Sequence, residues 1–494
     1  MDGSVRQILF KHLFGFQMKT LLAILFALII GIVALGLDLK FDGMVDDLLW
    51  NVTGETEPMQ QLLGGAQYIA NYTRRNPQFG DTTHIQHRPE NPFGINAFLE
   101  LEAEATKRRQ SMQLIAEAGI GWLRQQFTWE DIEIYGKGIF WDERNVDENR
   151  VIGGVQRLDS YSSWEKYDHI VQLADEYGVN ILARIGSPTP SWALPENTTL
   201  AYGPPANLQD FVDFAVAVAT RYKGHITHYQ IWNEPNLYPE WGEQLVDPAG
   251  YTELLCRTYT ALKAVDPNIV IHTAAIGPTI DLSGRDAFDM LFLQKMYDFG
   301  AGECFDVLSA QGYGLFSGPT DRRLRPFTMN FARHEWLRDI MVANGDEHKP
   351  IWISEVGWNP VPNDPSIVGY NTYGQVTMEQ AAKWAPLAYE RMLEDWPWVG
   401  VMHYWFLKRP SDLEKGQAFY YFRLVEPSGE PTPIYNSLKN YIQSGIWQEQ
   451  KEGESWEQRA RARIPQVLIG GWAILMLGYL FGMGILNRFI GDEV

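Results

Sequence analysis

The sequence predicts a parallel α/β barrel of the (β/α)8 TIM type, flanked by one N-terminal and one C-terminal transmembrane helix. Two observations predict this fold. Short apolar segments alternate with helical segments eight times over about 350 residues of the middle, and an uncharged apolar run lies near each end of the chain. Eight strand-then-helix units favour a closed parallel barrel over an open sheet. The first strand is not followed by Gly-x-Gly-x-x-Gly, so a dinucleotide-binding fold has little support.

The first apolar run, Leu21–Leu37, contains no polar side chain. It approaches the roughly 20 apolar residues that span a bilayer. Basic residues precede it and acidic residues follow it, at Arg6, Lys11 and Lys19 and at Asp38, Asp42, Asp46 and Asp47. The positive-inside rule then predicts a cytoplasmic N-terminus. The alternative is a cleaved signal peptide, with its small-residue site near Ala34 and Gly36.

The second apolar run, Val467–Leu486, would return the chain to the cytoplasm. Three arginines between positions 459 and 463 would then lie on the outer side, against the positive-inside rule, but the first helix usually dominates orientation. Gly478 and Gly482 form a small-xxx-small face that allows close packing on another helix. That helix is either the chain's own first span or a partner's.

These runs divide the chain into seven segments. They are a cytoplasmic N-terminus (1–19), a transmembrane helix (20–37), an extracytoplasmic linker or cap (38–90), the barrel (91–444), a charged juxtamembrane segment (445–465), a second transmembrane helix (466–487) and a cytoplasmic tail (488–494). We therefore expect a two-pass cell-membrane protein with its barrel on the extracytoplasmic side.

The barrel strands are predicted from short apolar runs, which are typical of buried parallel strands. In chain order they are Phe93–Glu100, Gly121–Trp129, Val179–Gly186, Ile226–Asn236, Asn268–Pro278, Phe305–Gly314, Pro350–Trp358 and Val399–Pro410. The helices that follow them are predicted around Met112–Ala116, Trp164–Tyr177, Leu208–Tyr222, Tyr251–Val265, Ala287–Phe299, Asn330–Asn344, Met378–Leu393 and Ile434–Ile442.

The composition narrows the classes of molecule that the chain is expected to bind. The net charge of −20 argues against nucleic acid, because phosphate binding needs clustered Lys and Arg. Aromatic residues are 13% of the chain, which suits either a large core or the flat rings of a sugar-binding cleft. Cys256 and Cys304 lack metal-site spacing, and two free buried thiols are favoured over a single bridge.

Two acidic residues stand at predicted strand ends. Glu234 ends the fourth strand in "WNEPN", where Pro235 biases it towards extended geometry. Glu355 ends the seventh strand in "ISEVGW". Because active sites of such barrels lie at the carboxyl ends of the strands, both carboxyl groups are expected at one mouth. Paired carboxyl groups suit the cleavage of a glycosidic bond.

These two motifs resemble the large clan of retaining glycoside hydrolases built on (β/α)8 barrels, closest to the neighbourhood of families 39 and 5. The resemblance covers roughly Asn91 to Ser444. It implies that Glu234 is the general acid/base and that Asn233 binds the sugar 2-hydroxyl. It also implies that Glu355 is the nucleophile.

The resemblance extends to three further residues. Arg124, in "WLRQQFTW", is similar to a strand-two Arg that keeps the nucleophile ionised. Tyr313, in "SAQGYG", is similar to a strand-six Tyr that contacts the nucleophile, and Trp405, in "MHYWFL", to a strand-eight Trp under the sugar. One departure stands at Gln311, where the clan often has His, so the electrostatics of the site are expected to differ.

Three more residues are candidate substrate contacts, namely His403, Trp192 and Trp358. The resemblance implies an oligosaccharide or glycoside substrate, hydrolysis in two steps with retention of configuration, and no metal or organic cofactor. Two alternatives remain open. One is an inactive barrel that serves as the scaffold subunit of a membrane complex, and the other is a carbohydrate-binding module.

Overall fold

The computed structural model describes residues 3–71, 84–142, 151–152, 155–156, 162–452 and 456–490. The chain divides into two compact units. One unit holds the two terminal parts of the chain together with Thr320–Arg323, and the other holds Arg74–Pro319 and Leu324–Gly453. Parts of the predicted linker (72–83) and of the predicted tail (491–494) lie outside the described residues.

The larger unit is a barrel of eight parallel strands, as the sequence predicts. The strands are β1 (Phe93–Ala97), β2 (Trp122–Thr128), β3 (Asn180–Gly186), β4 (His228–Ile231), β5 (Val270–His272), β6 (Leu308–Gln311), β7 (Ile351–Val356) and β8 (Val399–Tyr404). Each strand lies within its predicted segment. The predicted segments are longer than the strands mainly where the apolar residues of a strand are followed by apolar residues of a loop. Outside the barrel, Val151–Ile152 and Val155–Gln156 pair as a short antiparallel hairpin.

The strand order is β5-β4-β3-β2-β1-β8-β7-β6, with every neighbouring pair parallel. Parallel bridges from His272 to Val307 and from Ile276 to Ala310 join β5 to β6 and close the ring. In this register Gln311 of β6 lies beside Glu355 of β7. The carboxyl ends of all eight strands therefore meet at one mouth.

Helices surround the barrel and bury one face against it. In this unit they are α4 (Ala105–Glu117), α5 (Trp129–Ile132), α6 (Glu165–Tyr177), α7 (Leu208–Arg221), α8 (Pro248–Val265), α9 (Asp289–Asp298), α10 (His334–Ala343), α11 (Met378–Asp395), α12 (Pro433–Ser444) and α13 (Ile446–Glu452). Local signals fix several starts. Asn207 and Asp247 accept backbone N–H groups at the starts of α7 and α8, and Thr377 forms a capping box at α11.

The two cysteines correct one expectation. Cys256 of α8 and Cys304, just after α9, form a disulfide instead of two free thiols. They are 48 residues apart in sequence, but their Cα atoms are 4.8 Å apart. The sequence offers no signal for this pairing, because it depends on the packing of α8 against the turn that follows α9.

The smaller unit contains α1 (Gly3–Lys40), α2 (Met44–Thr53), α3 (Pro58–Asn71) and α14 (Trp456–Ile490). Two of its helices are long and apolar enough to span a membrane, over Gln17–Lys40 and Pro465–Leu486. The two helices pack on each other. A Cβ added at Gly478 would lie 3.1 Å from the Cα of Ala27, and one at Gly482 would lie 3.4 Å from the Cα of Ala23. The small-residue face of α14 is therefore in close contact with α1.

Candidate active site

Glu234 lies in the loop after β4. The residues before and after it, Trp232 and Asn236, determine the path of the loop backbone. Trp232 has φ 76°, in the left-handed region, so the chain turns sharply as it leaves the strand. Asn236 donates to the carbonyls of Gly277 (2.8 Å) and Ala287 (3.2 Å) and accepts from the N–H of Gly277 (2.9 Å). The "NEPN" motif thus contains one residue for the site and a second Asn that anchors the loop.

Glu355 lies within β7, and both of its carboxyl oxygens are occupied. Oε1 accepts a hydrogen bond from Arg124 Nη1 at 2.8 Å, and Oε2 accepts one from the hydroxyl of Tyr313 at 2.7 Å. The side chain is buried, as is that of Arg124. These two hydrogen bonds fix the orientation of the carboxyl group.

Arg124, on β2, connects the site into one network. It donates to Asn96 (2.8 Å), Gln230 (2.8 Å), Asn233 (2.9 Å) and Glu355. Asn96 is itself held by the carbonyls of Ser354 and Tyr404. Such a buried network is stable only when its polar groups find partners, and the guanidinium supplies donors in a fixed planar array.

The electrostatic surroundings of Glu234 favour its protonated form. Burial, followed by the negative charge of Glu355, raises the pKa of Glu234 well above its usual value. The positive charge of Arg124 opposes this shift without cancelling it. Burial and the charge of Glu355 also raise the pKa of Tyr313, so its phenol remains a neutral donor. One carboxyl group therefore favours the protonated form, while its neighbour accepts two charge-assisted hydrogen bonds.

A third acidic residue, Glu240, lies beside this pair, and the sequence reasoning missed it. Its pKa is raised, first by burial and in part by the charge of Glu355, while the nearby Arg184 lowers it. Its Oε2 is buried without a hydrogen-bond partner among the described residues. The only signal in the sequence is an acidic residue six positions after Glu234, which does not show where the loop places it.

Tyr373 was also missed. It lies in the loop after β7, and burial followed by the charges of Glu234 and Glu355 raises its pKa. Its ring packs against Phe422, with the two centroids 6.1 Å apart. It is therefore an aromatic side chain within electrostatic range of both carboxyl groups. A loop tyrosine of this kind has no recognisable pattern in a single sequence.

Three of the predicted contacts lie in or beside barrel-mouth loops. Gln311 is buried next to Glu355, and its Nε2 has no partner among the residues that the structure describes. Trp405, at the end of β8, is half-buried and packs edge-on against Phe98, with a centroid distance of 5.3 Å. Trp192 is half-buried and donates to the carbonyl of Glu133 at 2.7 Å.

The other two predicted contacts are packing residues in the structure. His403 is fully buried, lies against Trp352, and forms a hydrogen bond with the Ile353 carbonyl through Nδ1 at 3.1 Å. Trp358 is fully buried between aromatic rings and donates to the carbonyl of Ser317 at 2.7 Å. Neither ring has a face open to solvent, so the structure gives no support for a sugar contact by either residue.

No protein-family model matches the chain, and no curated protein matches it. Solved structures do match. A family 39 glycoside hydrolase from the gut symbiont Bacteroides cellulosilyticus is 18% identical with a TM-score of 0.50, and the match covers 73% of this chain but only 65% of that one. A glucosidase from Croceicoccus marinus is 13% identical with a TM-score of 0.50, and the match covers 74% of this chain and 69% of that one. GH5_18 from Streptomyces cattleya in complex with GlcNAc is 15% identical with a TM-score of 0.50, and the match covers 74% of this chain and 82% of that one. At these identities the similarity shows a shared barrel fold.

Proposed function

We propose that this chain is a membrane-anchored glycoside hydrolase that cleaves O-glycosidic bonds with retention of configuration. One observation carries the proposal. Glu355 accepts charge-assisted hydrogen bonds at both oxygens, whereas burial and the charge of Glu355 raise the pKa of Glu234. A carboxyl group held in position by two donors, beside a second carboxyl group whose pKa is raised, is the arrangement that a retaining mechanism requires.

In the first step, Glu355 attacks the anomeric carbon while Glu234 gives its proton to the leaving oxygen. The bond from carbon to the leaving group breaks as the ester to Glu355 forms. In the second step, Glu234 removes a proton from water, the water oxygen attacks the same carbon, and Glu355 leaves as a carboxylate. Asn233, whose side-chain oxygen accepts from Arg124 at 2.9 Å, is the residue that we propose donates its amide N–H to the sugar 2-hydroxyl.

The extracytoplasmic location is part of this proposal. The Cys256–Cys304 disulfide supports it, because such bonds persist in oxidising compartments and are rare in the cytosol. The two membrane-length helices and the charge asymmetry around the first of them point the same way. The expected substrate is therefore an oligosaccharide or glycoside outside the cytoplasm.

The test is a panel of aryl glycosides with the full chain in detergent or nanodiscs, followed by a 2-fluoro glycoside trap and mass mapping of the labelled peptide. Turnover should be lost in Glu355→Gln, and the label should lie on the peptide that contains Glu355. Glu253→Gln is the matched control, since that carboxylate lies exposed on α8. Label on another peptide would refute the nucleophile assignment.

Glu234→Gln separates the two roles. Because activated aryl leaving groups need no protonation, the variant should still form the glycosyl ester but should hydrolyse it slowly, and azide should restore turnover as a glycosyl azide of retained configuration. Binding of oligosaccharide without turnover, with no trapped ester, would instead favour the carbohydrate-binding module or the inactive scaffold barrel.

A further inference from the structure

Helix α3 exposes its apolar face to solvent. Met59, Leu62, Leu63 and Ile69 are 66%, 40%, 53% and 68% exposed, and Ala66 between them is also exposed. At helical spacing these five residues form a stripe about 120° wide along one side of the helix. We call them the α3 stripe. A surface helix of a soluble protein normally has the opposite arrangement, with its apolar side covered.

The other side of α3 is covered by α2. Gln61 donates to Asp46 at 2.8 Å, and Cβ atoms added at Gly64 and Gly65 would lie within 3 Å of side chains on α2. The small and polar residues of α3 therefore form its contact with α2, and this packing holds the α3 stripe outwards. The orientation of the stripe is thus set by a packed helix pair.

The helix pair is attached closely to the first membrane-length helix. Asp38 near the end of α1 accepts hydrogen bonds from the backbone N–H groups of Val45 (2.8 Å) and Asp46 (3.0 Å) at the start of α2. Only three residues separate α1, which ends at Lys40, from α2, which begins at Met44. The α3 stripe therefore belongs to a short, internally bonded structure at the end of the predicted span.

We propose that the α3 stripe lies in the interfacial zone of the membrane that α1 spans, with its aliphatic side chains in contact with lipid. The inference rests on the membrane anchoring proposed above. An interfacial helix buries an apolar face between headgroups and acyl chains. Four large side chains offer much less than the roughly 800 Å² per partner of a stable protein interface, whereas a bilayer surface requires no such area.

The chemistry of α3 also specifies the kind of lipid surface. The helix contains no charged residue, and the segment before it carries Asp38, Asp42, Asp46 and Asp47. Anionic headgroups therefore gain no attraction from α3 itself and meet mainly negative charge in the segment before it. Contact should depend on apolar burial alone, so a phosphatidylcholine surface should be sufficient.

The experiment uses the full chain in phosphatidylcholine nanodiscs with single introduced cysteines carrying an environment-sensitive fluorophore. Both native cysteines are in the disulfide, so the introduced thiol is the one that reacts. Leu63→Cys reports on the stripe, and Gln60→Cys, exposed on the same helix outside the stripe, is the matched control. Ile32→Cys in α1 reports on the span itself. Each is read by emission shift, by quenching from brominated lipid, and by quenching from aqueous iodide.

The expected result is blue-shifted emission and lipid quenching at Leu63→Cys, with iodide quenching at Gln60→Cys. The signal at Leu63→Cys should not change with raised salt or with added phosphatidylglycerol. Equal iodide quenching at the two α3 positions would overturn the inference. A label at Leu63→Cys that is shielded from both quenchers would also overturn it, because a protein would then cover the stripe. Failure at Ile32→Cys would instead refute membrane anchoring.

Discussion

Removal of the Cys256–Cys304 disulfide is expected to destabilise the barrel by an amount that follows from its position. The bond closes a loop of 48 residues, for which chain entropy predicts about 4 kcal/mol of stabilisation at 25 °C. For a domain of this size, such a loss corresponds to a fall of roughly 5 °C in Tm. The double variant Cys256→Ala/Cys304→Ala should show this fall without loss of the barrel fold.

The assay is thermal unfolding of the full chain in detergent, followed by tryptophan fluorescence, with and without reductant. Reductant should lower the Tm of the native chain to that of the double variant and leave the double variant unchanged. Thiol titration in denaturant should find no reactive thiol in the non-reduced native protein. Two titratable thiols would refute the pairing, and a double variant within about 1 °C of the native chain would refute the entropy argument.

Three further predictions concern the mouth of the barrel. Tyr313→Phe removes one charge-assisted hydrogen bond worth about 1.5–3 kcal/mol, so kcat should fall roughly 10- to 150-fold, and an unchanged kcat would contradict the contact. Gly277→Ala would place a Cβ 2.6 Å from Glu234 Oε1 and should lower kcat/KM at least tenfold, whereas Gly416→Ala, with no atom within 4 Å, should be neutral in the same assay. Burial raises the pKa of Glu100 to about 7 from about 4.5, so the stability it contributes is complete below pH 4.5 and is lost as the pH rises through 7. Glu100→Gln should therefore raise Tm more at pH 8 than at pH 5, and equal changes at the two pH values would contradict this sign.

The fold was predictable because its signals are local. Each barrel strand is a short apolar run, and each surrounding helix repeats its apolar residues at helical spacing. The positions at which the strands end were less predictable. The fifth segment, predicted as Asn268–Pro278, contains a continuous strand over Val270–His272 alone, because beyond His272 the pairing with β6 continues as an isolated bridge from Ile276 to Ala310. An apolar run in the sequence indicates burial, and both buried strands and buried loops produce such runs.

The candidate site was predictable where a motif holds the residue. Glu234 and Glu355 stand in recognisable strings at strand ends. Asn96 and Gln230, which hold Arg124, come from two other strands and meet only when the barrel closes. Their sequence neighbourhoods are ordinary apolar strands, so only the register of the sheet identifies them.

Proximity in sequence to a candidate residue does not by itself bring a side chain to the mouth of the barrel. Trp358 lies three residues after Glu355, yet its ring packs in the aromatic core with its N–H bonded to the Ser317 carbonyl. His403 lies two residues before Trp405, yet it is fully buried against Trp352. A single sequence shows that a residue lies near a strand end, but the neighbouring helices and strands determine which way its side chain points.

The four bonds of Arg124 have a consequence for how this protein could change. One guanidinium touches both the carboxylate proposed to attack the sugar and the amide proposed to grip its 2-hydroxyl. Recognition and reactivity therefore share a single support, and a substitution that alters one will disturb the other. New sugar preferences would arise more easily from outer loops such as the one that carries Tyr373, where variation leaves that shared support intact.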